Sequence, residues 1–293
     1  MDILYKYTTN IDSFIKKPTL KLSVPAFLND PFEESASKDL YERMECVESW
    51  QAEWDCKAAV NELGVVSFSE TSRNLLMWAH YANEHRGMCI GFDPNVLNSL
   101  DKYGYDSESY AFYPIKINYD NLRVDIHNLP EELSAESIAR KVLTTKSDDW
   151  IYEKEHRCIV PIGWSDSALL IKDNYKVDEA LSMMNACVNP CTKEIIAPTH
   201  QNLIFEQLTH YDGMLFLKEI NPKMVKSIHF GFKYPLDKIK EIIEEISVST
   251  HPLNHLKLYR YSIDKYRFEL YPTHIYSEGN SYLEKVYINA EHS

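Results

Sequence analysis

Residues 65–92 read VVSFSETSRNLLMWAHYANEHRGMCIGF, and this stretch decides the fold that the sequence predicts. Residues 65–69 form an apolar run of strand length, and residues 88–92 form a second one. Between them, apolar and aromatic residues at helical spacing predict a helix over residues 73–86. Gly87 stands where a left-handed residue commonly ends such a helix. The stretch therefore predicts a strand–helix–strand unit.

Further elements extend outward from this unit in both directions. Alternating apolar and polar residues predict short strands, and runs of helix formers predict helices. The predicted strands cover residues 3–8, 19–24, 114–119, 150–160, 215–217, 227–230, 256–261 and 267–270, with one more around Phe205. The predicted helices cover residues 38–63, 131–145 and 235–246. Strands and helices do not alternate regularly enough for a doubly wound sheet. We therefore predict an α+β fold with a mixed or antiparallel sheet core and helices packed on it.

The length of 293 residues exceeds the usual size of one domain. No internal repeat, low-complexity tract or Pro/Ser-rich linker marks a boundary. We predict a core domain over residues 1–165 that carries the motifs described below. Residues 166–293 are predicted to extend the same fold or to form a small appended subdomain.

The overall charge and composition argue against several classes of function. A net charge of −13 repels phosphate backbones and disfavours general nucleic-acid coating, because such binding depends on Lys and Arg. A basic cleft inside the acidic surface, and hence a nucleic-acid substrate, stays open. Eight glycines in the whole chain do not favour a Gly-rich phosphate loop.

The expected location is the cytoplasm, without a membrane partner. No apolar run approaches the ~20 residues that cross a bilayer, and the N-terminal residues lack the features of a signal peptide. Two of the six cysteines, Cys89 and Cys158, lie in apolar runs, where a free thiol packs as a small hydrophobe. We expect all six to be reduced thiols.

The charged segment Glu153 to Arg157 is the first candidate for chemistry. In a strand, alternate side chains share a face, so Glu153, Glu155 and Arg157 would point the same way. Three charges on a buried face are costly unless they are paired or used. The alternative is a solvent-facing charged stripe on an edge strand.

The predicted helix over residues 73–86 is the second candidate. Trp78, Tyr81 and His85 would form one stripe, and His80 and Glu84 another. Trp78 and Tyr81 could also be ordinary core residues. His80 with Glu84 could be a surface pair, half of a metal site or a proton-transfer pair. Because His80 and His85 share a helical face poorly, we do not expect a metal site.

Four motifs appear in order along the first part of the chain. They are Leu4-Tyr5-Lys6-Tyr7, Phe27-Leu28-Asn29-Asp30-Pro31-Phe32-Glu33, Met77-Trp78-x-His80-Tyr81-Ala82 with His85-x-Gly87, and Trp150-x-Tyr152-Glu153-x-Glu155-x-Arg157. Together they resemble a large prokaryotic family known as domain of unknown function 2971. The resemblance covers about the first 160 residues well and continues more weakly to about residue 272. The family name itself carries no function.

The three strand-like motifs also resemble the site of ADP-ribosyltransferases. In that superfamily the first strand offers a His or Arg to the NAD ribose, the middle strand supplies Ser or Tyr, and the last supplies the catalytic Glu. Ser67 and Ser69 match the middle strand, and Glu153 and Glu155 match the Glu-x-Glu pair. Lys6 stands where His or Arg is usual, which is a departure from the pattern.

The resemblance implies NAD as the substrate and two small sheets split around its cleft. Glu155 would stabilise the positive charge that develops on the ribose, as in glycoside cleavage, and Glu153 would orient or deprotonate the acceptor. The residues implied to contact NAD are Tyr5, Lys6, Tyr7, Ser67, Phe68, Ser69, Trp78, His80, Tyr81 and Arg157. Tyr5, Tyr7 or Phe68 would stack on the nicotinamide, and Lys6 or Arg157 would meet the pyrophosphate.

Three hypotheses for the function follow from these motifs. The first is an ADP-ribosyltransferase-like enzyme, acting as a toxin or phage-defence effector on an unknown macromolecular acceptor, with an antitoxin or chaperone partner. The second is a metal-dependent hydrolase or nuclease that uses His80, His85, Glu153 and Glu155. The third is a non-catalytic sensing or interaction module. The loop over residues 29–33 fits all three, either as a locked turn or as a substrate-contacting loop.

Overall fold

A computed structural model describes residues 2–9, 11–47, 51–105, 107, 109–125, 127 and 134–283. The fold within these ranges is α+β, with a large mixed sheet, as predicted. The helices are α1 (Asp12–Lys16), α2 (Lys38–Val47), α3 (Ala52–Asn61), α4 (Leu75–Tyr81), α5 (Ala135–Leu143), α6 (Tyr175–Met183), α7 (Gln201–Gln207) and α8 (Leu236–Ile246). The strands are β1 (Leu4–Thr8), β2 (Thr19–Leu22), β3 (Leu63–Ser69), β4 (Met88–Phe92), β5 (Ala111–Lys116), β6 (Asn118–Asp120), β7 (Thr145–Ser147), β8 (Glu155–Pro161), β9 (Ser167–Leu170), β10 (Cys187–Val188), β11 (Ile195–Ile196), β12 (Met214–Glu219), β13 (Val225–Phe230), β14 (Lys257–Ile263), β15 (Leu270–Ser277) and β16 (Asn280–Ser281).

The centre of the fold is a nine-stranded sheet. Its strand order is β16-β15-β14-β13-β4-β1-β3-β8-β5. Neighbouring strands are antiparallel except β13 and β14, which are parallel. A second sheet of three strands has the order β2-β12-β9, and β6–β7 and β10–β11 form two-stranded ladders.

Pairing between β1 and β3 in the large sheet is sparse. Within the described residues, these two strands share one register pair, Tyr5 with Ser69, whereas β1 pairs with β4 along its whole length. At its other end β3 bridges to β2 through Val65 and Ser23. The two sheets therefore meet where β1 and β3 separate, which leaves a gap between two central strands.

Alternation along β3 and β8 separates the main core from the candidate site. Val66 and Phe68 of β3, and Cys158 of β8, belong to the largest apolar cluster. Their neighbours Ser67 and Ser69 point to the opposite face, because successive strand residues alternate. The amphipathic helix α8 adds four buried isoleucines to the same cluster. The sheet is therefore anchored by apolar burial on one face and carries polar side chains on the other.

Strands from both sides of residue 165 belong to the nine-stranded sheet. β13 pairs directly with β4, and β14 and β15 continue the sheet beyond it. The described part of residues 166–283 thus extends the sheet that contains β1. Residues 284–293 of the predicted second part lie outside the described residues, and the boundary at residue 165 stays a prediction.

Several predicted elements differ in type or length from those observed. The predicted helix over residues 38–63 is two helices, α2 and α3, and residues 48–50 lie outside the described part. The predicted helix over 131–145 begins at Ala135, after residues 131–133, which are also outside it. Phe205 lies in helix α7 rather than in a strand. No helix among the residues described is long and apolar enough to cross a membrane.

The prediction of a helix up to residue 86 was wrong, because α4 ends at Tyr81. Asn83, Glu84 and His85 all take positive φ angles, which no α-helix contains. Glu84 is therefore not one helical turn beyond His80. Gly87 does not have the left-handed backbone that the sequence predicted.

Gly87 is needed instead for the close approach of two chain segments. A Cβ atom at this position would lie 2.5 Å from the carbonyl oxygen of Thr8 and 2.9 Å from that of Ala82. Both are backbone atoms, which cannot move aside without displacing β1 or the end of α4. The tight turn after α4 is therefore packed directly against β1.

We predict that Gly87→Ala lowers the free energy of unfolding by about 1–3 kcal/mol, because the added methyl group forces the backbone apart. The measurement is urea unfolding followed by circular dichroism. The control is Gly104→Asn, since a Cβ at Gly104 meets nothing within 4 Å and Asn tolerates a positive φ. Equal losses in the two variants would contradict the close-packing role of Gly87.

Candidate functional site

A cavity of about 110 Å³ lies where β1 and β3 separate. It brings together ten of the twelve residues that the sequence predicted for catalysis or NAD contact. These are Tyr5, Lys6, Tyr7, Ser67, Phe68, Ser69, Tyr81, Glu153, Glu155 and Arg157. The other lining residues are Leu28, Asn29, Glu33, Met77 and Lys146. Three segments that are distant in sequence thus form one site.

Strand register places the polar residues of β3 and β8 side by side. Ser67 is opposite Arg157, and Ser69 is opposite Glu155. In an antiparallel pair, residues directly opposite each other project from the same face. The four side chains therefore face the cavity together, and for Glu155 and Arg157 this is the alternation that the sequence predicted.

Glu153 reaches the site by a different route from the one predicted. The predicted strand over residues 150–160 begins only at Glu155, because residues 148–153 form a 3₁₀ turn that ends at Lys154 in a left-handed conformation. The Ser69 hydroxyl donates a 2.7 Å hydrogen bond to the Glu153 carbonyl. This bond fixes the turn against β3, so that the Glu153 carboxylate lies beside that of Glu155 without sharing a strand.

Five buried charged residues form the ion cluster: Glu33, Lys146, Glu153, Glu155 and Arg157. The Lys146 Nζ atom lies 2.8 Å from a Glu153 oxygen, 3.1 Å from Glu33 and 3.3 Å from Glu155. All five side chains are at most 5% exposed. Such charges are stable out of water only when they are paired and hydrogen-bonded, and Lys146 supplies that pairing to three carboxylates at once.

Arg157 holds Glu155 with a two-point contact. Its Nε atom lies 2.6 Å and its Nη2 atom 3.0 Å from the two carboxylate oxygens. Nη2 also lies 2.5 Å from Glu33, and Nη1 donates to the Leu143 carbonyl at 3.1 Å. Because each nitrogen of the Arg157 guanidinium has a partner, its orientation is fixed. The Glu155 carboxylate that it contacts is fixed as well.

The two neighbouring glutamates have opposite pKa shifts. Burial tends to raise the pKa of Glu155, but Arg157 and Lys146 outweigh it and lower the pKa to about 2. Burial raises the pKa of Glu153, and Lys146 offsets this only in part while the charge of Glu155 adds to it. Glu155 is therefore a permanent anion at neutral pH, and Glu153 takes up a proton more readily than a free glutamate. The Tyr81 hydroxyl donates a 2.5 Å hydrogen bond to Glu153.

Lys6 places a positive charge in the gap between β1 and β3. Its ammonium group donates to the Ser67 carbonyl at 3.1 Å. Burial lowers the pKa of Lys6 to about 8, with a further contribution from the charge of Lys21. Lys6 also lines a neighbouring cavity of about 340 Å³ between the two sheets, where Lys17 and Lys21 are further lining residues.

The structure does not bring Trp78 and His80 into the cavity of the site. Trp78 is 0% exposed, donates from Nε1 to the Ser72 carbonyl and packs edge-on against Tyr7 and Tyr261. It is a core residue, which was the alternative for this position. His80 is exposed, and its ring contacts those of neighbouring tyrosines.

The residues named for the metal-dependent alternative do not meet in one place. Glu153 and Glu155 line the cavity, but His80 and His85 do not. His85 stacks on Trp78 instead. Over the described ranges, no group of three or more His, Cys, Asp or Glu side chains could hold a metal ion. The cation between the carboxylates is a lysine of the chain itself.

Sequence reasoning missed three residues of the site, among them its central cation. Lys146 stands alone in β7, with no motif around it. Glu33 ends the 29–33 loop, which was predicted as either a turn or a contact loop. The Tyr119 hydroxyl accepts a 2.7 Å hydrogen bond from the Glu155 amide. The only available signal was charge balance, since Glu153, Glu155 and Arg157 on one buried face require a further cation.

We predict that Lys146→Met lowers the free energy of unfolding by about 3–5 kcal/mol, because it leaves three buried carboxylates with one remaining cation. The control is Lys116→Met, since Lys116 pairs with Glu70 on the surface and exposed pairs contribute at most about 1 kcal/mol. Urea unfolding at neutral pH measures both. Similar small losses in the two variants would show that the ion cluster is not a structural necessity.

A second prediction concerns the pH dependence of stability. A carboxylate whose pKa is lowered on folding stabilises the protein above its unfolded pKa of about 4.3, and this contribution disappears as the pH falls through the folded pKa, about 2 for Glu155. We expect Glu155→Gln to be clearly less stable than wild type at neutral pH, with the difference shrinking below about pH 5. Urea unfolding across this range measures the difference.

The matched control for this pH series is Glu153→Gln. Because the pKa of Glu153 is raised, the neutral amide resembles the form that folding favours and should cost little at neutral pH. A larger loss for Glu153→Gln than for Glu155→Gln would reverse the assignment of the two carboxylates.

Comparison with known proteins finds one similarity. Residues 77–158 match the model of a family described as "Protein of unknown function (DUF2971)". This segment contains Tyr81, Lys146, Glu153, Glu155 and Arg157, and thus most of the charged site. No curated protein matches the chain, and no solved structure does. From α4 through most of β8, the chain is therefore similar to DUF2971, the family that its motifs resembled.

Proposed function

We propose that this protein is an ADP-ribosyltransferase-like enzyme that cleaves NAD and transfers ADP-ribose to an acceptor. One observation carries the proposal: Lys6, Ser67 and Glu155, from three neighbouring strands, line a single cavity. The cavity lies at the gap between β1 and β3, where two sheets meet. A basic residue, a serine and a glutamate in this strand order are what the resemblance to ADP-ribosyltransferases implied.

Glu155 has the properties required of the residue that stabilises the transition state. Departure of nicotinamide leaves positive charge on the ribose. A carboxylate that is already charged and fixed in place stabilises that charge without reorganising. Arg157 and Lys146 keep Glu155 ionised and fixed, and Glu155 lines the cavity.

Glu153 is suited to handle the proton of the acceptor. In the reaction, the bond between ribose C1′ and the nicotinamide nitrogen breaks, and its electron pair leaves with neutral nicotinamide. The acceptor nucleophile then bonds to C1′ and releases a proton, which Glu153 takes up. A raised pKa brings a carboxylate closer to the range that suits a general base, and the Tyr81 and Lys146 contacts orient it.

The charge pattern of the two adjoining cavities fits the polarity of NAD. Carboxylates line the smaller cavity, where the ribose becomes positive. Lys6, Lys17 and Lys21 line the larger one, which suits the two phosphates. Lys6 lines both cavities.

A non-catalytic module is a second candidate, favoured by a different observation. Both oxygens of Glu155 already have partners in Arg157 and Lys146, and the residue is only 3% exposed. Such an arrangement could serve purely to connect the 29–33 loop to β8. The metal-dependent hydrolase and the toxin or phage-defence role stay predictions without geometric support.

The test is incubation of the purified protein with radiolabelled NAD and a cell lysate. We expect label transfer or NAD loss in wild type and a decrease of at least ~100-fold in Glu155→Gln, on the scale of losing a key electrostatic group. The control is Glu206→Gln, since Glu206 is a partly buried glutamate that does not line the cavity.

A second variant separates loss of chemistry from loss of folding. Lys6→Gln keeps an N–H donor for the Ser67 carbonyl but removes the charge, so we expect a KM for NAD raised by roughly tenfold with little change in Tm. A folded wild-type protein that neither binds nor consumes NAD would rule out the transferase and leave the non-catalytic module.

A further inference from the structure

A third cavity, of about 280 Å³, shares Glu33 and Lys146 with the candidate site. Its remaining wall comes from the 29–33 loop, the segment after β6, helix α5 and β7. The proposed transferase reaction gives this cavity no role.

Two buried polar atoms in the wall of this cavity lack a partner. Asp30 is 4% exposed and Thr145 is 9% exposed, yet neither Asp30 Oδ2 nor Thr145 Oγ1 has a hydrogen-bond partner among the residues described. The other Asp30 oxygen accepts a 3.0 Å bond from the Phe32 amide. A buried carboxylate oxygen without a donor costs free energy, which a ligand with N–H groups would relieve at Asp30. Thr145 offers a second unpartnered polar atom in the same wall.

The wall of this cavity carries two cationic side chains, Lys146 and Arg123, and no ion pair among the described residues joins either of them to Asp30. Lys146 is already shared among three carboxylates. Arg123 donates to the Ser35 carbonyl at 2.9 Å and lies over the Phe32 ring. Asp30 has no such basic partner within the described residues, so a positively charged ligand is favoured over a neutral one.

We infer that this cavity binds an organic cation with a guanidinium or ammonium head and a short apolar chain. The head donates N–H bonds to Asp30 and Thr145, and the chain lies against Val124 and Val142, which are buried apolar residues of the same wall. A head with several donors can supply an N–H group to the unpartnered Asp30 oxygen, which an aliphatic ligand or an anion cannot do. The same chemistry is present in a free metabolite and in an arginine side chain of a peptide.

The test is calorimetric titration of the full chain with butylguanidinium, with a blocked arginine tripeptide, and with butylurea as a neutral isostere. We expect one saturable site for butylguanidinium and much weaker binding of butylurea. Tighter binding of the tripeptide would assign the site to a protein side chain, and tighter binding of butylguanidinium to a small molecule. Either ranking supports the inference.

Variants of the two acceptors locate the bound ligand. Asp30→Asn retains an oxygen for the Phe32 amide but loses the charge, and we expect it to weaken binding by roughly 10- to 100-fold. Thr145→Val removes the hydroxyl and should weaken it by a smaller factor. The control is Asp101→Asn, because Asp101 accepts the same kind of bond from the Tyr103 amide and lies outside the cavity.

Three results would overturn the inference. They are no saturable binding of either guanidinium compound, equal binding of butylurea, and unchanged affinity in Asp30→Asn. None of these titrations uses NAD, so a negative result for the cation site is independent of a negative result for the proposed transferase activity.

Discussion

The balance of buried charge around Lys146 is the constraint on which the rest of the site depends. Its single ammonium group contacts Glu33, Glu153 and Glu155, which belong to a loop, a 3₁₀ turn and a strand. Burying these ions is expensive, and such clusters often contribute little net stability compared with apolar residues. What the cluster provides is a defined arrangement, because loss of either cation leaves a buried carboxylate with fewer partners.

The same charge balance shifts the pKa values of two neighbouring carboxylates, Glu153 and Glu155, in opposite directions. Both oxygens of Glu155 contact the Arg157 guanidinium, which makes one further contact with Glu33. Glu153 instead contacts Lys146 and the neutral hydroxyl of Tyr81. Pairs of acids whose pKa values are separated by their surroundings are a common basis for acid–base chemistry. The difference between the two pKa values arises from the positions of the cations rather than from the glutamates themselves. It is present whether the protein is an enzyme or a non-catalytic module.

Local pattern allowed the sequence to predict the strands that form the site, but not the residues that complete it. The strands at residues 65–69 and 88–92 follow from short apolar runs, and both were predicted correctly. The left-handed backbone at Lys154 and at Glu84 has no comparable local signal, because neither residue type favours it. Lys146 and Glu33 become recognisable only when the chain folds and brings isolated charges together.

The gap between β1 and β3 has a consequence for protein association as well as for binding. Where two strands part inside a sheet, one of them presents an internal edge with free carbonyl groups, much as an outermost strand does. Natural sheets protect their outer edges against pairing with foreign chains by placing lysines there. The bond from Lys6 to the Ser67 carbonyl gives the interior edge of β3 the same protection, so the gap is shielded from pairing with a foreign strand.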